Sequence, residues 1–170
     1  MDPRRGGGGP ARQVTSPAVV HDVVIRPATL DDSEAVADVY LAAFQATYDF
    51  GLAHSDADVR RWIADGLIPG RETWVAEAEG QVVAMLALDD AGIDQLYVLP
   101  TAQGNGIGRA LVDLAKARRP EGLQLYTFQV NERARRFYER NGFVVAALGD
   151  GSGNEEGQPD VLYRWAPDPT

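Results

Sequence analysis

The apolar residues of this chain follow two spacings: three-and-four steps that mark helices, and alternations or short runs that mark strands. Val23-Val24-Ile25-Arg26 is the first such run, and Pro27 ends it. Thr29 with Asp32 three residues on carries a helix-start pattern, after which Ala35, Val36, Val39, Tyr40, Ala43 and Phe44 share one helical face. Ser55 and Asp58 repeat the start pattern ahead of Val59, Trp62 and Ile63, and Gly66 is the expected stop of this second, short helix. Residues 72–78 and 81–88 read as strands with Gly80 at the turn between them. Residues 93–99 read as another strand, closed by Pro100. The next helix buries Ile107, Ala110, Leu111, Leu114 and Ala115 and ends at Pro120. A strand at 123–130, a helix at 131–140 stopped by Asn141-Gly142, and strands at 143–148 and 161–165 complete the pattern, with a polar loop at 149–160. The order β-α-α-β-β-β-α-β-α-β-β predicts an α/β fold (α+β by some schemes), with a mixed sheet and helices on both faces.

A chain of 170 residues fits one domain. Residues 1–22, with Gly6, Gly7, Gly8, Gly9 and Pro10, are expected to form a disordered tail, and residues 23–168 the domain. With no cysteine, the chain has no disulfide, cysteine-ligated metal or thiolate nucleophile; two histidines make a histidine-built zinc site unexpected. Acids exceed bases, 25 to 16, for a formal charge of −9, which argues against a nucleic-acid partner. No apolar run reaches the ~18 residues of a membrane span, and residues 1–10 lack the apolar stretch of a secretory signal, so a cytoplasmic protein is expected.

The chemistry concentrates at Gln103-Gly104-Asn105-Gly106-Ile107-Gly108-Arg109, where a strand hands over to a helix. Glycine lets backbone approach a ligand closely, and a helix start offers unpaired N–H groups and partial positive charge, which together suit a phosphate. A P-loop would need Lys and Ser or Thr after Gly108, where Arg109 and Ala110 stand. A dinucleotide fingerprint would need glycine at position 109, and the next strand ends in Gln129-Val130-Asn131 without an acid for a ribose. Gln103-x-x-Gly106-x-Gly108 instead resembles the acyl-CoA pyrophosphate loop of the GCN5-related N-acetyltransferase (GNAT) superfamily. Asn131, Ala134, Phe137-Tyr138 and Gly142-Phe143 resemble that family's second segment, and the likeness extends over about residues 23–165.

The resemblance implies a mostly antiparallel sheet of about seven strands, splayed between the strands that flank the cofactor helix. It implies acetyl-CoA as cosubstrate, held by the backbone of Leu96, Tyr97 and Val98, by the turn from Gln103 through Gly104, Asn105, Gly106, Ile107 and Gly108 to Arg109, and by Asn131. Asn131 is equally a good helix cap. Tyr138 matches the family's tyrosine acid, which protonates the leaving thiolate; a packed tyrosine is the alternative. Asp94 and His54 are the candidates for the base. Alternation places Asp94 on one face with Leu96 and Val98. The acceptor is expected between the loop carrying Phe44, Tyr48, Phe50 and His54 and the acidic loop with Glu155 and Glu156, as a small-molecule or peptide amine, itself cationic if that loop is more than solvated. The expected activity is N-acetyl transfer by direct attack, with no metal, on a monomer or homodimer. A non-catalytic acyl-CoA-binding module and an acyltransferase for longer acyl groups remain the alternatives.

Overall fold

Seven strands stand in two antiparallel sheets in the computed structural model, which describes residues 22–169. The tail expected at 1–22 therefore lies, apart from Asp22, outside the described residues. The first sheet has the order β1 (Val23–Pro27), β2 (Glu72–Ala78), β3 (Gln81–Leu88), β4 (Ile93–Val98). In the second, β5 (Leu123–Phe128) and β6 (Val144–Gly149) flank β7 (Asp160–Trp165). Among the described residues the two meet through a parallel bridge, Gly92 to Gln124, beside which the Gln124 N–H donates to the Ala91 carbonyl at 3.0 Å. Beyond it β4 and β5 share no ladder, so the splay that the family resemblance implied divides the expected single sheet in two.

Helices cover both faces. A 3-10 turn (Leu30–Asp32) leads into α1 (Ser33–Thr47). The Asp32 carboxylate accepts the Thr29 N–H at 2.8 Å and a two-pronged contact from Arg26 at 2.8 and 2.9 Å. Ser55 Oγ accepts the Asp58 N–H at 3.2 Å and starts α2 (Asp56–Trp62). Gly66 does not stop this helix, contrary to the sequence expectation. A π-helical turn (Ile63–Leu67) and a final turn (Ile68–Gly70) carry it on until Arg71 turns extended. A Cβ at Gly66 would lie 3.3 Å from the Trp62 ring, so the glycine serves packing rather than termination. The last two helices are α3 (Ile107–Arg118) and α4 (Glu132–Arg140).

The core has two parts. On one face Val36, Val39, Ile63 and Leu67 pack against Val75, Met85 and Ala87; on the other, Leu111, Val112 and Ala115 pack against Leu86, Leu88, Leu125 and Tyr163. Covered on both faces, β3 reads as an unbroken apolar run, Ala84 to Leu88. Pairing β4 with β3 corrects one sequence inference. Ala87 stands opposite Gln95 and Leu88 opposite Ile93, so Asp94 is an extra residue in a bulge. Parity reverses across it: Ile93, Leu96 and Val98 pack in one cluster, so alternation alone does not set the face that Asp94 takes.

Candidate active site

A cleft of ≈ 2440 Å³ opens where β4 and β5 diverge, and every sequence-selected residue except Phe50 and Asn105 lines it. Asn105 instead borders a separate cavity of ≈ 390 Å³ beside Val23 and Glu79.

The glycine turn divides its work among three residues. Gly104 and Gly106 have φ of 82° and 81°, left-handed values that favour glycine, and Gly106 caps α3. Gly108 serves a different end: a Cβ there would sit 3.2 Å from Phe137 Cζ, so its bareness lets α3 close on α4. The first turn of α3 carries no acid, and its leading N–H groups have no partner within the helix, which makes it a fit cradle for an anion. Ile107 is buried and can offer only backbone, whereas Arg109 is exposed at the cleft. Gln103 braces the turn, its Nε2 donating to the Val98 carbonyl at the end of β4 at 3.1 Å.

Tyr138 packs its ring against Phe137, Phe143 and Tyr163 and is 7 % exposed. Its hydroxyl makes no hydrogen bond among the described residues, yet it is not sealed off and borders the cleft. Burial pushes its pKa up, which keeps the phenol protonated. Asn131 caps α4: its Oδ1 accepts the Ala134 N–H at 3.0 Å, while its Nδ2 donates to the Tyr48 hydroxyl at 2.9 Å.

The half-buried Asp94 carboxylate faces Arg71, whose Nε donates at 3.3 Å. Burial raises the Asp94 pKa and the Arg71 charge lowers it, with a net rise. A wall of rings stands at this end. Tyr40 meets Tyr97 at 4.8 Å edge to face, Phe44 meets Tyr48 at 4.8 Å, and Tyr48 meets Phe128 at 5.3 Å. Tyr40 is pushed up to about 12 by burial, with the charge of Glu156 next and that of Glu155 a smaller part, which places both carboxylates near the same rings. His54 Nε2 lies 2.7 Å from Glu155 Oε2, joining the loop after α1 to the loop after β6. Sequence reading missed Arg71, Tyr40, Trp62 and Phe128 as part of this end. Their only sequence signal is the density of aromatic residues, and Arg71 has none.

Among the described residues, no group of three or more His, Cys, Asp or Glu is arranged to hold a metal ion, and no helix is long and apolar enough to cross a membrane.

Residues 69–145 match the family profile described as an acetyltransferase (GNAT) domain. The chain is 29 % identical over 145 residues to peptidyl-lysine N-acetyltransferase YjaB of Escherichia coli, covering 85 % of this chain and 96 % of that protein. Its identity to peptidyl-lysine N-acetyltransferase YiaC of the same organism is 26 %, over 84 % of this chain and 96 % of that one. The solution structure of apo-form YjaB superposes with a TM-score of 0.70 at 26 % identity, covering 84 % and 97 % of the two chains. Fold, glycine turn and relatives agree: residues 69–145 carry the match to the acetyltransferase (GNAT) domain, and along the length shared with YjaB the chain is similar to the N-acetyltransferases of the GNAT superfamily.

Proposed function

We propose that residues 23–168 form a domain that transfers an acetyl group from acetyl-CoA to a primary amine, and that the amine is the side chain of a lysine in a peptide. The observation that carries this reading is the Tyr138 hydroxyl, protonated and without a protein partner among the described residues, in the same cleft as the open edge of β4 and the start of α3. The names of YjaB and YiaC support the acceptor class.

The N–H groups from Gly106 to Arg109 would hold the pyrophosphate, with the Arg109 charge beside it. The free edge of Leu96, Tyr97 and Val98 would pair with the amides of the pantetheine arm, as an edge strand pairs with any extended chain. A lysine ammonium, of pKa about 10.4, must lose a proton before it attacks. Asp94 is the group we assign to accept it, directly or through one water: its burial makes it a stronger base, and Arg71 holds it ionised. The freed amine attacks the thioester carbonyl, the carbon–sulfur bond breaks, and Tyr138 donates its proton to the departing sulfur. The rings of Tyr40, Phe44 and Tyr48 with Glu155 and Glu156 suit an approaching cation.

Incubation with acetyl-CoA and a panel of lysine peptides and small amines, read by thiol release and by product mass, tests the proposal. Acetylated lysine peptides are the expected product. Acetyl-CoA binding without transfer to any acceptor would replace this reading with that of a binding module. Transfer to small amines alone would retain the chemistry and overturn the acceptor class.

A further inference from the structure

One outer strand of the molecule is unguarded. β6 pairs with β7 on one side, and among the described residues nothing pairs with its other side. Strands that stay solitary at a sheet edge usually carry charges or proline. β1, the outer strand of the other sheet, obeys that rule: Arg26 stands on it, paired with Asp32 and Glu77, and Pro27 ends it. β6 has neither. It reads Val144-Val145-Ala146-Ala147-Leu148-Gly149, with Val144 66 %, Val145 46 % and Leu148 65 % exposed. Its one irregularity is a register shift against β7 between Val145 and Ala147.

The charges at the two ends of the strand select an occupant. At its start stand the exposed Arg140, the last residue of α4, and the exposed Arg164, opposite Val144 on β7. At its end stand the exposed Asp150, which follows Gly149, and Asp160, opposite Gly149. The edge is therefore positive at one end and negative at the other. A second copy laid antiparallel brings each basic end against an acidic end, whereas a parallel copy would set like against like. The net charge of −9 repels two copies in general, but along this edge the local charges attract.

We propose that β6 pairs antiparallel with β6 of a second copy, across a two-fold axis beside Ala146 and Ala147. The result is one continuous sheet of strand order β5-β7-β6-β6-β7-β5. The backbone groups of the open edge gain partners, and Val145 and Leu148 of each copy cover one another. Because the pairing is two-fold, it closes at the dimer and uses up both edges.

Light-scattering mass measured over a dilution series is expected to show two chains falling to one. Val145→Lys and Leu148→Lys each place a charge on the edge; each is expected to be monomeric, with an unchanged circular dichroism spectrum and unchanged stabilisation by acetyl-CoA. The absence of native cysteine permits a second measurement that needs no disruptive change. Across a two-fold axis, each step along the strand separates the two copies of a residue by about 6.6 Å more. A disulfide spans at most about 7 Å between Cα atoms. Ala146→Cys and Ala147→Cys are expected to cross-link two chains on oxidation, and Val144→Cys is not. A parent of monomer mass at every concentration, lysine variants that stay dimeric, equal cross-linking at position 144, or growth into larger assemblies would each overturn the proposal.

Discussion

Gly92→Ala tests whether the vertex of the cleft rests on one close approach. A Cβ at Gly92 would lie 2.3 Å from the Gln124 carbonyl oxygen and 2.5 Å from its nitrogen. Both are backbone atoms in a sheet, so no side chain can swing aside; β5 must retreat by about 1 Å to reach ordinary contact distance. That retreat breaks the Gln124 N–H bond to the Ala91 carbonyl. It also strains the Asp89 turn, where Asp89 Oδ1 accepts the Gly92 N–H at 2.8 Å and Gly92 returns its carbonyl to the Asp89 N–H at 3.0 Å. Two or three such bonds lost or weakened, at about 1 kcal/mol each, give a destabilisation of about 3 kcal/mol. For a domain of this size that corresponds to a fall in melting temperature of about 10 °C. Acetyl-CoA affinity should fall as well, because the same retreat changes the angle between β4 and β5. Thermal unfolding and calorimetric titration read the two effects. Gly70→Ala is the control, since no atom lies within 4 Å of its would-be Cβ. A Gly92→Ala protein that melts with the parent and binds acetyl-CoA equally would refute the idea that this approach fixes the vertex.

Tyr138→Phe keeps the buried ring and removes the proton; turnover should drop on the order of 10²-fold with cofactor affinity nearly unchanged, as single-turnover kinetics and titration would report. Asp94→Asn should slow the reaction most at neutral pH and less in alkali, where free amine is plentiful. In the parent, kcat/KM should fall as pH drops through the raised Asp94 pKa, since the protonated carboxyl accepts nothing; a pH profile shared by parent and variant would rule Asp94 out as the base. The Arg26 guanidinium beside Asp32 holds its carboxyl down at about 2, against an ordinary value of 3.8. The folded-state value is the lower one, so this stabilisation is complete above about pH 4 and disappears as pH falls toward 2; Asp32→Asn should be less stable than the parent at neutral pH and should lack that acid-sensitive component in denaturant titrations.

Much of the architecture was legible because local signals agreed with the tertiary ones. Val36, Val39 and Phe44 repeat at helical spacing and are buried; Ser55 looks like a cap and is one. The glycine turn was legible from spacing, although the closeness of Phe137, which a Cβ at Gly108 would crowd, was not. What stayed hidden was non-local or carried no periodic mark. The Asp94 bulge depends on how β3 pairs, and alternation within one strand says nothing of an inserted residue. Gly66 carries a stop signal that Trp62 packing and a π turn override. The contacts of Tyr48 with Asn131 and of His54 with Glu155 join residues 83 and 101 positions apart. β6 was legible as a strand, but its apolar run gave no sign that it is exposed along nearly its whole length.

The side-chain amide of Asn131 has two duties on two sides of the cleft. Its oxygen fastens the first turn of the helix that carries Tyr138, and its nitrogen fastens Tyr48 in the loop we propose to wall the acceptor. Order on the donor side and order on the acceptor side thus draw on the same group. A ligand that stiffens one wall prepays part of the conformational entropy that the other ligand would have to supply. Linkage makes the effect reciprocal: acetyl-CoA should tighten acceptor binding by the same factor as the acceptor tightens acetyl-CoA, and cutting the amide out should uncouple the two sites before it empties either.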